Sequence, residues 1–170
     1  MVAKAPRDHP RTEAWSNDMR VVIVVHRARG IQPSSNGGIS NPYCTMNIGV
    51  EKHKTRVLKH VIYPVWEERV VFGNKASGSH AKAFGIPGPS SPDSVITFKI
   101  KSYDRLKNVD IGEVRVALWD LERQGLVRQW HSLVAVPAQS NSNGMGAGEI
   151  DLSIELVNKS AILGSNTRRS

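Results

Sequence analysis

The sequence contains one cysteine, Cys44, so no disulfide can form within the chain and a reducing, intracellular setting is expected. It contains no apolar run near the roughly 18 residues that a membrane-spanning helix needs. Residues 1–18 are polar and lack the apolar core of a secretory signal peptide. We therefore expect a cytoplasmic domain that neither spans a membrane nor is secreted.

The motifs that most often carry catalysis or hold a metal are also missing. None of the six histidines falls in the H-E-x-x-H spacing of a zinc site, and one cysteine cannot supply a C-x-x-C pair. The sequence has neither the G-x-S-x-G turn of serine hydrolases nor a glycine loop that cradles phosphate. We expect no enzyme and no cofactor.

Acidic residues are fewer than basic ones. The sequence has 15 Asp and Glu against 23 Lys and Arg, which gives a formal net charge of +8. Such a charge favours an anionic partner, which could be an acidic lipid surface, a nucleic acid or an acidic protein. Nucleic-acid binding favours aromatic side chains among the basic ones, as platforms for the bases. Aromatics make up only 6% of the chain and only Tyr43 is well placed, so no nucleic-acid partner is expected.

Short segments of alternating polarity are abundant. The clearest is SVITFKIKSYD (94–104), in which Ile96, Phe98 and Ile100 fall on one side of a strand. Seven further segments have the composition of strands: 19–28, 42–50, 51–59, 65–72, 112–121, 127–134 and 148–157. No stretch has helical periodicity over a useful length. This pattern predicts an all-β protein, an eight-stranded antiparallel β-sandwich.

Three parts of the chain lie outside this pattern. Residues 1–18 and 158–170 are mostly polar, and we expect flexible tails on either side of one domain, 19–157. Residues 73–93 are rich in Gly, Pro and Ser, which predicts a long surface loop within that domain.

Five segments in succession carry a family resemblance. They are RVVIVVHRARGI, NGGISNPYCTMNIG, KTRVLKHVIYPVWEE, ITFKIKSYDRLKNVDIGEVRVAL and VRQWHSLV. Together they resemble a C2 domain, the lipid-binding sandwich of protein kinase C and the synaptotagmins, over residues 19–157. The closing strand GEIDLSIELV follows the WHSL segment, which is similar to the second (type II) of the two circularly permuted C2 topologies.

Placing the strands in a sandwich brings the connections 29–41, 60–64 and 103–111 to one end. In calcium-binding C2 domains, aspartates of the first and third of these loops hold the ions. By the resemblance, those positions fall on Ser35, Asn41, Ser102, Asp104 and either Asp110 or Val109. Only one or two carboxylates remain, and neutral oxygens do not balance a divalent charge. We expect no metal site and no calcium binding in the micromolar range.

Positive charge concentrates on the segment EKHKTRVLK, where a period of two places Lys52, Lys54 and Arg56 on one side. On the neighbouring strands, Lys99 and Lys101 also point away from the core, as does Tyr43. The same pattern of lysines is also expected of an edge strand that faces water, where lysines prevent pairing with the sheets of other molecules.

In the C2 family the matching strand faces form a concave, lysine-rich groove that can hold a phosphoinositide headgroup. The resemblance implies that Tyr43, Lys54 and Arg56 match three of its headgroup-contacting positions. Thr45 and Lys101 depart from the family at two others, which leaves the groove positive and the preferred headgroup open.

Apolar residues at the loop tips, Ile39, Ile62 and Leu106, could enter the membrane interface or pack between loops. The expected function is calcium-independent, peripheral attachment to anionic membranes by binding phospholipid or phosphoinositide headgroups. Two alternatives stay open. One is a protein-interaction or scaffold domain without lipid binding, for which an acidic protein is the natural partner. The other is a calcium-dependent phospholipid sensor.

Overall fold

The computed structural model describes residues 19–31, 40–73, 86–88, 91, 94–103, 105, 108–121, 124–136 and 147–158. These residues form nine strands and one short helix. The elements are β1 (Met19–Arg29), β2 (Pro42–Ile48), β3 (Glu51–Lys54), β4 (Val65–Phe72), β5 (Val95–Ser102), β6 (Val109–Ala117), α1 (Leu118–Leu121), β7 (Val127–Ser132), β8 (Val134–Ala135) and β9 (Glu149–Asn158). The prediction of an all-β protein is confirmed.

The strands form two sheets. One has four strands in the order β4-β1-β9-β7, and the other has five in the order β3-β2-β5-β6-β8. Every pairing is antiparallel. The predicted antiparallel sandwich is thus confirmed, with β1 and β9 as hydrogen-bonded neighbours at the centre of the smaller sheet.

The core lies between the inner faces of the two sheets. Ile96, Phe98 and Ile100 are fully buried, as the alternation of their segment predicts, and they share one cluster with Ile23 and Trp66 of the other sheet. Burying one such side chain is worth about 1.5–3 kcal/mol. Cys44 is also a core residue, and burial raises the pKa of its thiol far above the usual value, so the thiol is not a reactive nucleophile.

The predicted seventh strand, 127–134, divides in two. Its first part is β7 in the four-stranded sheet, and its second part is β8 in the five-stranded sheet. Leu133 lies at the crossing, 3% exposed, and its N–H donates to the carbonyl of Gly148 over 2.8 Å. The side chain of Leu133 fills the core between the two sheets, so a single alternating segment passes from one sheet to the other. The nine strands therefore replace the eight that were predicted.

The predicted strand 51–59 is shorter than expected. It ends at Lys54, because the hydroxyl of Thr55 accepts the N–H of Cys44 over 2.9 Å, where a strand would offer its carbonyl. Thr55 is only 2% exposed, so this buried side chain ends the hydrogen-bonded pairing of β2 with β3. Residues 55–58 continue without regular structure.

A bulge interrupts the four-stranded sheet at His26. The register of β1 against both β4 and β9 shifts between Val25 and Arg27. On β4, Glu67 adopts a left-handed backbone conformation with φ of 49°. As a result His26 and Arg27 both lie on the outer face of this sheet.

The predicted N-terminal tail, most of the loop 73–93 and residues 159–170 lie outside the described residues. Those predictions, and the assignment to the type II topology, stay predictions.

Candidate functional site

The outward side chains of four strands form a basic surface on the five-stranded sheet. Strand pairing places Lys54, Thr45, Lys99 and Glu113 in one cross-strand row. Lys52, Asn47, Thr97 and Arg115 form the next row, and Tyr43, Lys101 and Asp110 form a third. We call the cations of these rows the lysine face: Lys52, Lys54, Lys99, Lys101 and Arg115.

The structure brings together four of the six predicted headgroup-binding residues, adds the unpredicted cation Arg115 and places the unpredicted carboxylate Glu113 beside them. Arg115 and Glu113 come from β6, where they alternate with the inward residues Val114 and Val116. The alternation of segment 112–121 therefore contained the signal that could have placed both of them on this surface.

Two carboxylates of β6 neutralise part of the lysine face. Glu113 accepts from Lys99 Nζ over 3.0 Å and from Arg115 Nε over 2.7 Å, and Lys101 Nζ lies 2.9 Å from Asp110 Oδ1. Burial acts to raise the pKa of Glu113, but the hydrogen bonds and charges of Lys99 and Arg115 outweigh it, so this pKa lies below its usual value. Five cations facing two carboxylates leave an excess of positive charge.

Lys52 and Lys54 carry the available part of that charge. Both are exposed, and neither side chain makes a hydrogen bond or an ion pair within the described residues. They lie on β3, which is an edge strand of the sheet among the described residues. Both are free to meet an external anion.

The structure separates two predicted residues from this pair. Tyr43 faces outward beside Lys101, but its side chain is only 7% exposed. The guanidinium of Arg56 turns to the start of β4, where it donates to the carbonyl of Trp66 over 2.7 Å and lies 3.2 Å from Glu68. The Arg56 backbone N–H also donates to Glu68. Arg56 thus has a structural partner on the other sheet, whereas Lys52 and Lys54 have none among the described residues.

Asn41 joins the loops at one end of the sandwich. Its Oδ1 accepts the backbone N–H of His60 over 3.0 Å, and its Nδ2 donates to the carbonyl of Tyr103 over 3.1 Å. The N–H of Asn41 donates to the hydroxyl of Ser102 over 3.1 Å. The end of the predicted first loop and the starts of the second and third loops therefore meet here.

Beside this junction the second loop exposes apolar side chains. Ile62 is 59% exposed and Tyr63 71%, and Tyr103 of the third loop is 48% exposed. Lys59 and Arg105 are exposed close to them in sequence. No helix in the described part of the chain has the length and hydropathy to cross a bilayer.

A family model described as C2 domain matches residues 19–133. The chain belongs to the C2 domain family. Synaptotagmin 1 of Drosophila melanogaster is 25% identical over 135 residues, which cover 77% of this chain and 26% of that protein. Rab11 family-interacting protein 1 of Rattus norvegicus is 27% identical over 146 residues, which cover 84% of this chain and 21% of that protein.

The chain thus spans 26% or less of the length of these two relatives. Among solved structures, the calcium-bound pair of C2 domains, A and B, of extended synaptotagmin 2 matches with a TM-score of 0.62 at 19% identity. That match covers 83% of this chain and 46% of the solved chain, and at this identity it shows the fold alone.

Within this C2 domain, three residues at the predicted calcium positions, Asn41, Ser102 and Asp110, contact other groups of the protein. The amide of Asn41 and the hydroxyl of Ser102 hold the loop junction, and Asp110 of β6 pairs with Lys101 of β5. The sequence predicted Asp110 in a loop, whereas the strand begins at Val109. No group of three or more His, Cys, Asp or Glu side chains able to hold a metal occurs among the described residues.

Four predicted site residues lie outside the described residues: Ser35, Ile39, Asp104 and Leu106. Their roles stay predictions.

Proposed function

We propose that this C2 domain attaches peripherally to the anionic, cytoplasmic face of a membrane through its lysine face, without a requirement for calcium. The exposed pair Lys52 and Lys54 carries the proposal, because neither side chain has a partner within the described residues. A basic side chain near an anionic leaflet contributes about 1 kcal/mol. These two lysines account for most of the attraction, and Lys99, Lys101 and Arg115 act more weakly because carboxylates already pair with them.

The loop junction supports one orientation on the membrane. Strands β2 and β5 run from the lysine face to this junction, where Pro42 pairs with Ser102. Exposed Ile62 and Tyr63 lie in the adjoining loop. Tyrosine has an apolar ring and a polar hydroxyl, a combination that suits the boundary between headgroups and acyl chains. We infer that the domain docks with the lysine face against the headgroups and with Ile62 and Tyr63 in the interface.

The contacts made at the predicted calcium positions support independence from calcium. The Oδ1 of Asn41, the amide atom that could bind a cation, already accepts the backbone N–H of His60. Lys101 places an ammonium 2.9 Å from Asp110, which is unfavourable for a nearby divalent cation.

The buried ring of Tyr43 and the engaged guanidinium of Arg56 favour recognition of surface charge over recognition of one headgroup. A guanidinium that already donates to Trp66 and pairs with Glu68 has fewer donors for a bidentate phosphate contact. We therefore propose that binding follows the density of negative charge, whether serine phospholipid or phosphoinositide supplies it.

Co-sedimentation with vesicles tests the proposal. The chain is mixed with phosphatidylcholine vesicles that contain phosphatidylserine or phosphatidylinositol bisphosphate, first in chelator and then in calcium. Binding is expected in chelator, and Lys52→Gln with Lys54→Gln should weaken it about tenfold or more. Arg27→Gln with Arg29→Gln removes the same charge from the other sheet and should leave binding nearly unchanged.

Equal loss in both double variants would contradict a localised lysine site. Binding of the unmodified chain only in calcium would favour the calcium-dependent sensor instead. Absence of binding to every vesicle would favour the second candidate, a protein-interaction domain. The name of one relative, Rab11 family-interacting protein 1, describes that protein by a protein partner, and this makes the second candidate worth keeping.

A further inference from the structure

Three arginines and a tryptophan cluster on the outer face of the four-stranded sheet, on the opposite side of the sandwich from the lysine face. We call them the arginine–tryptophan face: Arg27, Arg29, Arg128 and Trp130. They come from β1 and β7, and β9 lies between these strands and supplies acidic partners. Strand pairing aligns Arg27, Asp151 and Trp130 in one cross-strand row.

The indole ring of Trp130 lies close to two guanidinium groups. The Cζ of Arg29 is 4.1 Å from the centre of the ring, and the Cζ of Arg27 is 5.4 Å from it. Contacts of this kind attract a cation to the ring and hold the flexible arginine side chain in place. Trp130 is half-buried, so the ring supports the arginines and is partly covered by them.

Asp151 fixes the other side of the cluster. Its side chain is 3% exposed, it accepts two hydrogen bonds from Arg128, at 2.8 and 3.2 Å, and it lies 3.3 Å from Arg27 Nε. About half of the Arg27 and Arg128 side chains remains exposed. Arg27 reaches Asp151 through Nε alone, and its terminal N–H groups have no acceptor among the described residues.

The arginines are therefore arranged in advance for an acidic ligand. Much of the side-chain entropy that binding would cost has already been lost in the free protein. The carboxylate of Asp151 lies beneath the arginines and does not present its charge to solvent. Glu149 competes at the edge, where its half-exposed carboxylate holds Arg29 at 2.7 Å.

The residue composition of the arginine–tryptophan face and its position on the sandwich both favour a protein as the partner. Arginine and tryptophan are the residues that most often dominate the binding energy of protein interfaces. Arginine also matches the planar carboxylate in a bidentate manner, which a lysine ammonium does not. When the lysine face lies on a membrane, the arginine–tryptophan face points away from it, because the two are the opposite outer faces of one sandwich.

We propose that the arginine–tryptophan face is a docking site for an acidic, Glu- or Asp-rich segment of a partner protein. Its carboxylates pair with the outward N–H groups of Arg27, Arg29 and Arg128, above the ring of Trp130. The site is separate from the lysine face, so the domain can hold an acidic protein segment and a membrane at the same time.

Fluorescence anisotropy with a labelled peptide of alternating Glu and Ser tests this site, and a peptide of alternating Gln and Ser is the control. The full chain should bind the Glu peptide and not the Gln peptide. Arg27→Gln with Arg29→Gln should weaken that binding about tenfold or more. Lys52→Gln with Lys54→Gln, which removes the same charge from the opposite face, should change it less than about twofold.

Glu149→Gln gives an independent test, because an exposed ion pair contributes little to stability and its removal leaves the chain folded. The substitution frees Arg29 from its competing carboxylate, so affinity for the Glu peptide should rise about two- to threefold. Circular dichroism and the thermal midpoint confirm that each variant is folded.

The proposal is overturned if the two double variants lose peptide binding equally, since attraction would then depend only on net charge. It is also overturned if the Glu peptide binds no better than the Gln peptide, or if Glu149→Gln lowers the affinity. Vesicle binding that falls with Arg27→Gln and Arg29→Gln, while peptide binding persists, would assign this face to a membrane and overturn the proposal. Failure of the lysine face to bind vesicles would leave the peptide result unaffected.

Discussion

Asp151 lies on the outer face of the four-stranded sheet, and yet its side chain is only 3% exposed. Hydrogen bonds from Arg128 lower the pKa of this carboxyl group and outweigh the burial that acts to raise it. The charge of Arg128 and a hydrogen bond from Arg27 act in the same direction. Folding therefore stabilises the ionised form of Asp151 relative to the unfolded chain.

The lowered pKa predicts an acid-sensitive contribution to stability. An unfolded aspartate titrates near pH 3.9, so the contribution is complete above about pH 5 and is lost as pH falls through the lower, folded pKa. We expect Asp151→Asn to reduce the free energy of unfolding by about 1–3 kcal/mol at pH 7 and to flatten its decline between about pH 5 and 3. Urea unfolding at several pH values measures both effects.

Asp120→Asn is the control for that experiment, because Asp120 is an exposed residue of α1 without an ion pair among the described residues. Asp120→Asn should change the free energy of unfolding at pH 7 by less than about 0.5 kcal/mol. An equally steep acid decline in Asp151→Asn would contradict the role given to this carboxylate.

At the scale of the element, the crossing between the sheets depends on close backbone packing. The chain enters β9 through Gly148, whose φ is 94° and whose carbonyl accepts the N–H of Leu133. A Cβ atom at Gly148 would lie 2.4 Å from the carbonyl oxygen of Arg29 and 2.7 Å from the backbone of Gly30. Backbone atoms cannot move aside as a side chain can. This position therefore requires glycine for two reasons: its φ is positive, and a Cβ atom would overlap the neighbouring backbone.

We predict that Gly148→Ala lowers the free energy of unfolding by about 2–4 kcal/mol. Gly125→Ala separates the two causes, because Gly125 has φ of 66° but a Cβ atom there would have no contact within 4 Å. Gly125→Ala should lower the free energy of unfolding by only about 1–2 kcal/mol, because only the left-handed conformation opposes the alanine side chain there. Chemical unfolding of both variants measures the difference, and equal losses would show that the contact with Arg29 and Gly30 is unimportant.

For the whole molecule, the sandwich keeps two basic surfaces apart. The five-stranded sheet carries lysines on its outer face, and the four-stranded sheet carries arginines that are already braced by Trp130 and Asp151. The full chain has a net charge of +8, so the electrostatic potential of the whole molecule adds to the attraction of each surface for anions. Lysines whose side chains have no partner among the described residues suit a fluid surface of lipid phosphates, whereas fixed arginines suit a defined arrangement of carboxylates.

Salt dependence tests the electrostatic basis of membrane attachment at this scale. The distance over which charges interact shrinks from about 10 Å at 0.1 M salt to about 3 Å at 1 M. We expect vesicle binding in chelator to fall about tenfold or more across this range, as measured by co-sedimentation at constant lipid concentration. Binding that withstands high salt would mean that insertion of Ile62 and Tyr63, and not the lysine face, carries attachment.

Local alternation was sufficient to predict much of the candidate site. A period of two assigned Lys52 and Lys54 to one side of β3, and Lys99 and Lys101 to one side of β5, and the structure places all four on one outer face. Arg56 lies only two residues beyond Lys54, but the period fails there because the Thr55 hydroxyl ends the strand. The guanidinium of Arg56 then reaches β4 of the other sheet.

The sequence by itself determined the all-β class, the inward residues of its strands and the excess of positive charge, since these depend on periodicity and composition within short segments. Only the tertiary structure decided which charges are neutralised and which are available. Glu113 and Asp110 pair with lysines because β6 lies beside β5, and Arg27 meets Trp130 and Asp151 because β9 lies between β1 and β7. The order of strands in a sheet joins residues from opposite ends of the chain, and no local pattern encodes it.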